Sequence, residues 1–292
     1  MYVATLLTNP AAPSLEATLV ESLRNAWGGD DANWLSLDEA AEFSLPEIPD
    51  NRWDVWGELQ EMGVDLVVQK ADGRRKKMLL ADMDSTMIQQ ECIDELADEV
   101  GVGDRVKEIT ARAMNGELDF EAALDERVAL LADQPADIID KVLKERIKFM
   151  PGGRILIATM KADGAYAALV SGGFTAFTNK VAETLGFDEH HANTLLVDGD
   201  KLSGKVARPV LGREAKVEQL EKITAKLGLS ENDVIAVGDG ANDLGMLGRA
   251  GTGVALHAKP AVQAECDVRV NHGDLTALLF LQGYSRDEFC GL

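Results

Sequence analysis

Leu79-Leu80-Ala81-Asp82-Met83-Asp84-Ser85-Thr86 is the stretch on which the fold turns. An apolar run stops in two carboxylates separated by one residue, followed by two hydroxyls. Side chains alternate across an extended chain, so the two-residue offset returns Asp84 to the face of Asp82. A strand ending this way delivers both acids to the rim of a sheet, where they can hold a divalent cation. A second apolar run, Val234-Ile235-Ala236-Val237, leads into Gly238-Asp239-Gly240-Ala241-Asn242-Asp243. Two acidic rims on two buried strands point to a Mg²⁺-dependent site for phosphoryl chemistry.

Working outward, residues 78–292 alternate strand and helix. The runs Met78–Ala81, Ala165–Val170, Val234–Val237 and Gly253–Leu256 are short and continuously apolar, as strands buried on both faces are. Helical stretches fall at Arg154–Ala162, Ala176–Leu185, Arg213–Leu227 and Asp243–Ala250. The pattern predicts a doubly wound α/β fold. A hairpin, Thr194–Val197 with Lys201–Ala207, interrupts it around Asp198-Gly199-Asp200. Between the first strand and the rest lies an insertion of about 88–149, too long for a plain loop. It reads as four helices, Ile88–Val100, Asp104–Met114, Asp119–Leu131 and Pro135–Glu145, with Gly116 as a stop signal and Asp119 as a start. These form a helical cap above the strand ends.

Residues 1–70 read as a separate α+β unit of order βαββαβ, with an antiparallel sheet. Its strands are Tyr2–Leu7, Asn33–Leu37, Glu42–Leu45 and Val64–Val68. Its helices are Ser14–Ala26, with Ser14 as N-cap, and Arg52–Met62. The topology resembles ACT-like regulatory domains, and it raises a homodimer through this unit as a possible assembly. Ala71–Lys77, with the basic run Arg74-Arg75-Lys76-Lys77, reads as a solvated linker leading into a second domain, 71–292.

A net charge of −21 argues against nucleic acid, whose backbone needs Lys/Arg stripes. Any phosphorylated ligand must then meet local positive charge supplied by metal, Lys or Arg. Cys92, Cys266 and Cys290 are odd in number and form no C-x-x-C pair, which fits free thiols in a reducing cytoplasm. No apolar run reaches the length of a membrane span, and the start of the chain lacks the pattern of a secretory signal.

In open α/β sheets, ligands bind beyond the carboxyl ends of the strands. Asp82/Asp84, Ser171-Gly172-Gly173 and Asp239–Asp243 all occupy that position, and Arg213-Glu214-Ala215-Lys216 opens a helix. With these motifs in this order, the chain resembles the haloacid-dehalogenase-superfamily phosphatases, and within them the phosphoserine phosphatases. The resemblance covers about residues 78–271. It implies Asp82 as the nucleophile that forms an aspartyl-phosphate, and Asp84 as general acid and then base. It also implies Mg²⁺ between Asp82, Asp239 and the backbone carbonyl of Asp84. Asp243 is either a further ligand or the N-cap of the next helix. Ser171, the amide of Gly172 and Asn242 would donate to phosphate oxygens, and Lys216 would stabilise their charge.

For substrate choice the resemblance points to the cap. Glu91 would take an ammonium and Arg127 a carboxylate. On the residues alone, Glu91 is a solvated position and Arg127, on an apolar face, needs either a substrate carboxylate or a structural acid. Met114 and Phe120 fall at pocket-lining positions of that family, with plain cap core as the alternative. A related ester such as phosphohomoserine, a dehalogenase, and a receiver-type phospho-acceptor remain rivals.

Overall fold

The structure, a computed structural model, describes residues 1–114 and 117–291, without the side chain of Met114. The expected stop at Gly116 lies outside the described residues.

The first unit runs β1 (Tyr2–Leu7), α1 (Ala17–Trp27), β2 (Asn33–Ser36), β3 (Ala40–Leu45), α2 (Arg52–Glu61) and β4 (Asp65–Lys70). Its strands form an antiparallel sheet of order β2-β3-β1-β4. Helix α1 begins three residues later than the sequence suggests, and Ser14 caps nothing. The backbone N–H of buried Leu15 donates to the Asp38 carbonyl, which holds this segment against the loop after β2 before the helix can start. Glu16 occupies the cap position without a side-chain bond.

The second unit starts with β5 (Met78–Ala81) and continues into α3 (Cys92–Glu99), α4 (Gly103–Met114), α5 (Phe120–Ala129) and α6 (Ile138–Glu145). There follow α7 (Gly153–Ala162), β6 (Tyr166–Phe174), α8 (Thr175–Leu185), β7 (Glu189–Asn193), and the hairpin β8 (Leu195–Asp198) and β9 (Lys201–Val206). The chain closes with α9 (Arg213–Leu227), β10 (Val234–Gly238), α10 (Leu244–Arg249), β11 (Thr252–Leu256), α11 (Pro260–Ala264), β12 (Val268–Val270) and α12 (Ala277–Leu281). Six of these strands form one parallel sheet, β12-β11-β10-β5-β6-β7. Among the described residues, no helix is long and apolar enough to cross a membrane.

The apolar runs are continuous because both faces of the sheet are covered. Leu79, Ala81, Ile235 and Val237 pack into one core, and Met78, Leu80, Val234 and Ala236 into the other. Two strands escaped the sequence reading. β7 carries Glu189, His190, His191 and Asn193, and β12 has three residues; both are edge strands with little apolar signal.

Register places the rim. β5 and β10 pair from Met78↔Val234 to Ala81↔Val237, and β5 and β6 pair from Met78↔Tyr166 to Ala81↔Leu169. Asp82, the Gly238–Asp239 corner and the Val170–Ser171 step therefore emerge side by side.

At the neck of the insertion, Ile88 forms an antiparallel bridge with Phe149, and Gln89 N–H donates to Lys148 O. That bridge holds Ile88 out of the helix, and Glu91 is extended, so α3 starts at Cys92 rather than at Ile88. Pro135 likewise bridges Lys201, which delays α6 to Ile138 and ties the hairpin to the insertion.

The basic run before β5 is solvated only in part: Arg75 and Lys77 are exposed, while Arg74 and Lys76 are drawn inward. Arg74 makes a two-pronged pair with Glu42 at 2.5 and 3.0 Å. Arg75 pairs with Glu288 and lies over the Tyr284 ring, and Lys76 is buried. The two units are further joined by Asp65, fully buried, which accepts the backbone N–H groups of Asn271, His272 and Gly273 at 2.8–2.9 Å.

Candidate active site

Asp82 leaves the end of β5 and is 4 % exposed. Its Oδ1 lies 2.6 Å from the Nζ of Lys216, which projects from the first turn of α9 and is 1 % exposed. The same Nζ donates to Asp243 Oδ1 at 2.6 Å. Burial works against charge on Lys216, but the two carboxylates outweigh it and hold the ammonium above the usual lysine range. Burial, and then the neighbouring Asp243, push Asp82 well above the ordinary carboxylate range, and Lys216 opposes them.

Asp239 follows β10. Burial first, and Asp243 second, push its carboxyl up to about 6. Thr86, buried under the rim, donates from Oγ1 to Asp239 Oδ1 at 3.4 Å. Asp243 accepts from Gly240 N–H at 3.0 Å and sits at the N-terminus of α10 without a side-chain cap bond. Its carboxylate presses on Gly238, where a Cβ would come within 2.4 Å of it; only glycine admits that approach.

Asp82, Asp239 and Asp243 each bring one carboxylate oxygen within 4.8 Å of the others. An all-oxygen set of this kind suits a hard divalent cation. Asp82 Oδ1 is buried and makes no hydrogen bond of sound geometry despite its closeness to Lys216, so it has a lone pair left to offer. The side chain beside Asp82 and Asp239 is that of Asp243, the residue weighed as a further ligand; Asp84 was expected to contribute its backbone carbonyl.

Asp84 turns elsewhere. Its Oδ1 accepts the backbone N–H of Cys92 at 3.1 Å, the first residue of α3. Burial, helped by the charge of Glu91, pushes its carboxyl up to about 7. A carboxyl poised there can give a proton and take one back near neutral pH. The intervening Ser85 is left-handed at φ 54° and donates from Oγ to Glu91 Oε1 at 2.7 Å. That bond leans exposed Glu91 over the rim.

Ser171 and Gly172 were expected just beyond the carboxyl end of the strand; they lie inside β6, where its pairing with β7 slips between Val170 and Phe174. Ser171 Oγ accepts Gly173 N–H at 2.9 Å. A Cβ at Gly173 would fall 2.7 Å from Asp84 Oδ2, so this strand passes against the acid itself. Asn193, missed with its edge strand, donates to the carbonyls of Gly172 and Leu211 and accepts Leu211 N–H. It thereby positions both the Ser171 strand and the approach to Lys216.

The cap overhangs a cavity of about 500 Å³ that opens on the rim. Asp82, Asp84, Ser171, Gly172, Asp239 and Asn242 form its floor, and Glu91, Phe120 and Arg127 its roof and walls. The Phe120 ring covers two glycines: a methyl on Gly172 or Gly212 would meet it at 3.2 or 3.3 Å. Arg127 donates from Nε to Ala123 O at 3.1 Å. Among the described residues it has no carboxylate within 4.0 Å, so it forms no direct ion pair with a structural acid. Burial lowers its affinity for its proton, and Asp94, Glu91 and Asp84 oppose that. Asp94, Thr110 and Lys259 also line the cavity and carried no signal in the sequence, since only the folded cap and the loop after β11 bring them there. The Met114 side chain lies outside the described residues.

A sequence model of the haloacid dehalogenase-like hydrolases matches residues 79–248. The chain belongs to this family. A HAD-family hydrolase from Salmonella enterica subsp. enterica serovar Typhi superposes with a TM-score of 0.86 at 28 % identity, over 99 % of this chain and 100 % of that one. A phosphoserine phosphatase from Methanocaldococcus jannaschii is 44 % identical over 70 % of this chain and 97 % of its own. Another, from Streptomyces coelicolor, is 43 % identical over 79 % of this chain and 57 % of its own, so the match spans little more than half of that relative. The HAD-like sheet, the inserted cap and the antiparallel first unit together give the fold class expected from the motifs.

Proposed function

We propose that the chain is a Mg²⁺-dependent phosphoserine phosphatase, hydrolysing O-phospho-L-serine to L-serine and phosphate through an aspartyl-phosphate on Asp82. One observation carries the reading. The rim cluster of Asp82, Asp239, Asp243 and Lys216 lies beneath a cavity that offers an acid at its mouth, Glu91, and a guanidinium in no ion pair among the described residues, Arg127. A phosphate at the rim, an ammonium toward Glu91 and a carboxylate toward Arg127 complement that arrangement. Relatives named phosphoserine phosphatase at 43–44 % identity support it.

The roles follow from the environments. Asp82 attacks phosphorus as the carboxylate, which its buried site disfavours and Lys216 restores. Asp84, with its carboxyl near neutrality, protonates the departing seryl oxygen and then takes a proton from the water that hydrolyses the acyl-phosphate. Ser171, the Gly172 amide and Asn242 donate to phosphate oxygens, and Lys216 adds positive charge behind Asp82. Asp82, Asp239 and the Asp84 carbonyl, with Asp243 as a further ligand, would hold Mg²⁺, which would supply the charge that lets two anions approach. Phe120 lines the cavity as an apolar wall for the substrate. In this reading the ester is small, the cysteines are free thiols of the cytoplasm, and the first unit can pair two chains along its exposed β2 edge. Light scattering that returns a monomer would remove that last element.

The test is phosphate release from O-phospho-L-serine, O-phospho-L-homoserine and p-nitrophenyl phosphate, each with Mg²⁺ and with chelator. The reading expects Mg²⁺-dependent release with phosphoserine preferred. A preference for the homoserine ester would reassign the substrate. Stable phosphoprotein without release would favour the receiver-type switch.

A further inference from the structure

At the end of the parallel sheet opposite the acidic rim, a cleft of about 740 Å³ opens between the two units. Tyr2, Val68 and Lys70 wall it on one side, and Asn232, Thr252 and Val268, at the starts of β10, β11 and β12, on the other. Four basic side chains line it, Arg52, Lys70, Arg74 and Lys76, against three acids, Asp72, Glu265 and Asp267. Asp72 and Glu265 are in no ion pair among the described residues.

Two of these cations already have partners. Arg52 pairs with Asp267 at 2.9 Å, and Arg74 with Glu42. Lys70 is exposed and in no ion pair among the described residues. Lys76 is the anomaly. It is 9 % exposed, its Nζ donates one hydrogen bond, to the Asn232 carbonyl at 2.8 Å, and no carboxylate of the described residues lies within 4.0 Å. Its nearest acid in charge terms, Asp233, is engaged by Lys77 at 3.0 Å and by Ser230.

A buried ammonium carries three donors and a charge that needs an answer. Burial alone holds Lys76 below the usual lysine range. The chain path does not require the charge, because the Lys76 backbone N–H is separately fixed by Gln282 Oε1 at 3.0 Å. An apolar side chain of the same length would satisfy the packing. Lys76 thus keeps a charge with no carboxylate within 4.0 Å among the described residues, beside open volume.

We propose that this cleft is a second ligand site, for a small oxyanion whose carboxylate or phosphate pairs with Lys76 and Lys70. The site is separate from the catalytic rim, and its occupant touches both units at once.

Malonate and inorganic phosphate, as separate probes, should be titrated calorimetrically into the full chain in chelator and into Lys76→Met. The proposal expects at least one probe to bind, with affinity falling at least about tenfold in the variant. A preference for malonate assigns a carboxylate ligand, and a preference for phosphate a phosphorylated one. Hydrogen–deuterium exchange on the unaltered chain provides a second readout independent of how the variant folds: the bound probe should slow exchange in residues 66–77 and 247–253. Absence of binding by both probes, unchanged affinity in Lys76→Met, or protection confined to residues 82–91 and 239–243 would overturn it.

Discussion

Lys216→Met removes the one cation shared by two buried carboxylates while keeping the length and most of the volume of the side chain. In the native protein Asp82 and Asp243 each stand 2.6 Å from the ammonium, and all three groups are at most 6 % exposed at the side chain. Breaking a buried pair by deleting one partner destabilises by about 3–5 kcal/mol. That is a large part of the ~5–15 kcal/mol that holds a domain together. At roughly 2–4 °C per kcal/mol for a chain of this class, the unfolding temperature should fall by about 6–20 °C. The loss should depend on pH with a definite sign. Asp82 already has its proton affinity raised by burial and by Asp243, and loss of Lys216 raises it further. A carboxyl that binds its proton more tightly when folded contributes stability at low pH and loses it as pH rises through the folded value. The deficit should therefore be larger at about pH 7.5 than at about pH 5.5. Scanning calorimetry in chelator at both pH values, with unaltered protein alongside, measures it. A variant that unfolds within about 1 °C of the unaltered protein at both pH values would refute the reasoning.

Two further outcomes follow from the same geometry. Arg127→Ala should lower kcat/KM for phosphoserine by about 10–100-fold, since a charge-assisted bond contributes ~1.5–3 kcal/mol, while p-nitrophenyl phosphate turnover barely changes; equal losses on both would deny Arg127 its carboxylate. Metal binding needs ionised carboxylates, and Asp239 titrates at about 6, so Mg²⁺ affinity measured calorimetrically should fall as pH drops from about 7.5 to about 5.5; a flat profile would place the ion elsewhere.

What the sequence made legible was whatever depends on local pattern. Met78–Ala81 and Val234–Val237 announce buried strands because every residue is apolar, and the acids that end them could be assigned to a rim before any coordinates. Register then joined Asp82 to Asp239 as that pattern required. The failures share a cause in tertiary contact. Glu189–Asn193 looks like a polar loop, and it is a strand because it pairs with β6 at the sheet edge. Asn193 and Lys259 gain their places only once that edge and the loop after β11 are folded. The direction of the Asp84 side chain depends on where α3 starts, and α3 starts late because Ile88 bridges Phe149. Arg127 was visible as a guanidinium on an apolar face, but its lack of a direct ion pair among the described residues is a fact of packing. The basic run at residues 74–77 carried the opposite lesson: its charge suggested solvent, and the fold placed Lys76 in the interior.

The claim most exposed to a single measurement is that Asp82 takes the phosphoryl group. Rapid acid quench during turnover of phosphoserine, followed by peptide mass spectrometry, should find an acid-stable, hydroxylamine-labile phosphate on the peptide containing Asp82. Asp82→Asn should show neither that adduct nor turnover. An adduct on another residue, or phosphoenzyme formed normally by Asp82→Asn, would contradict the account.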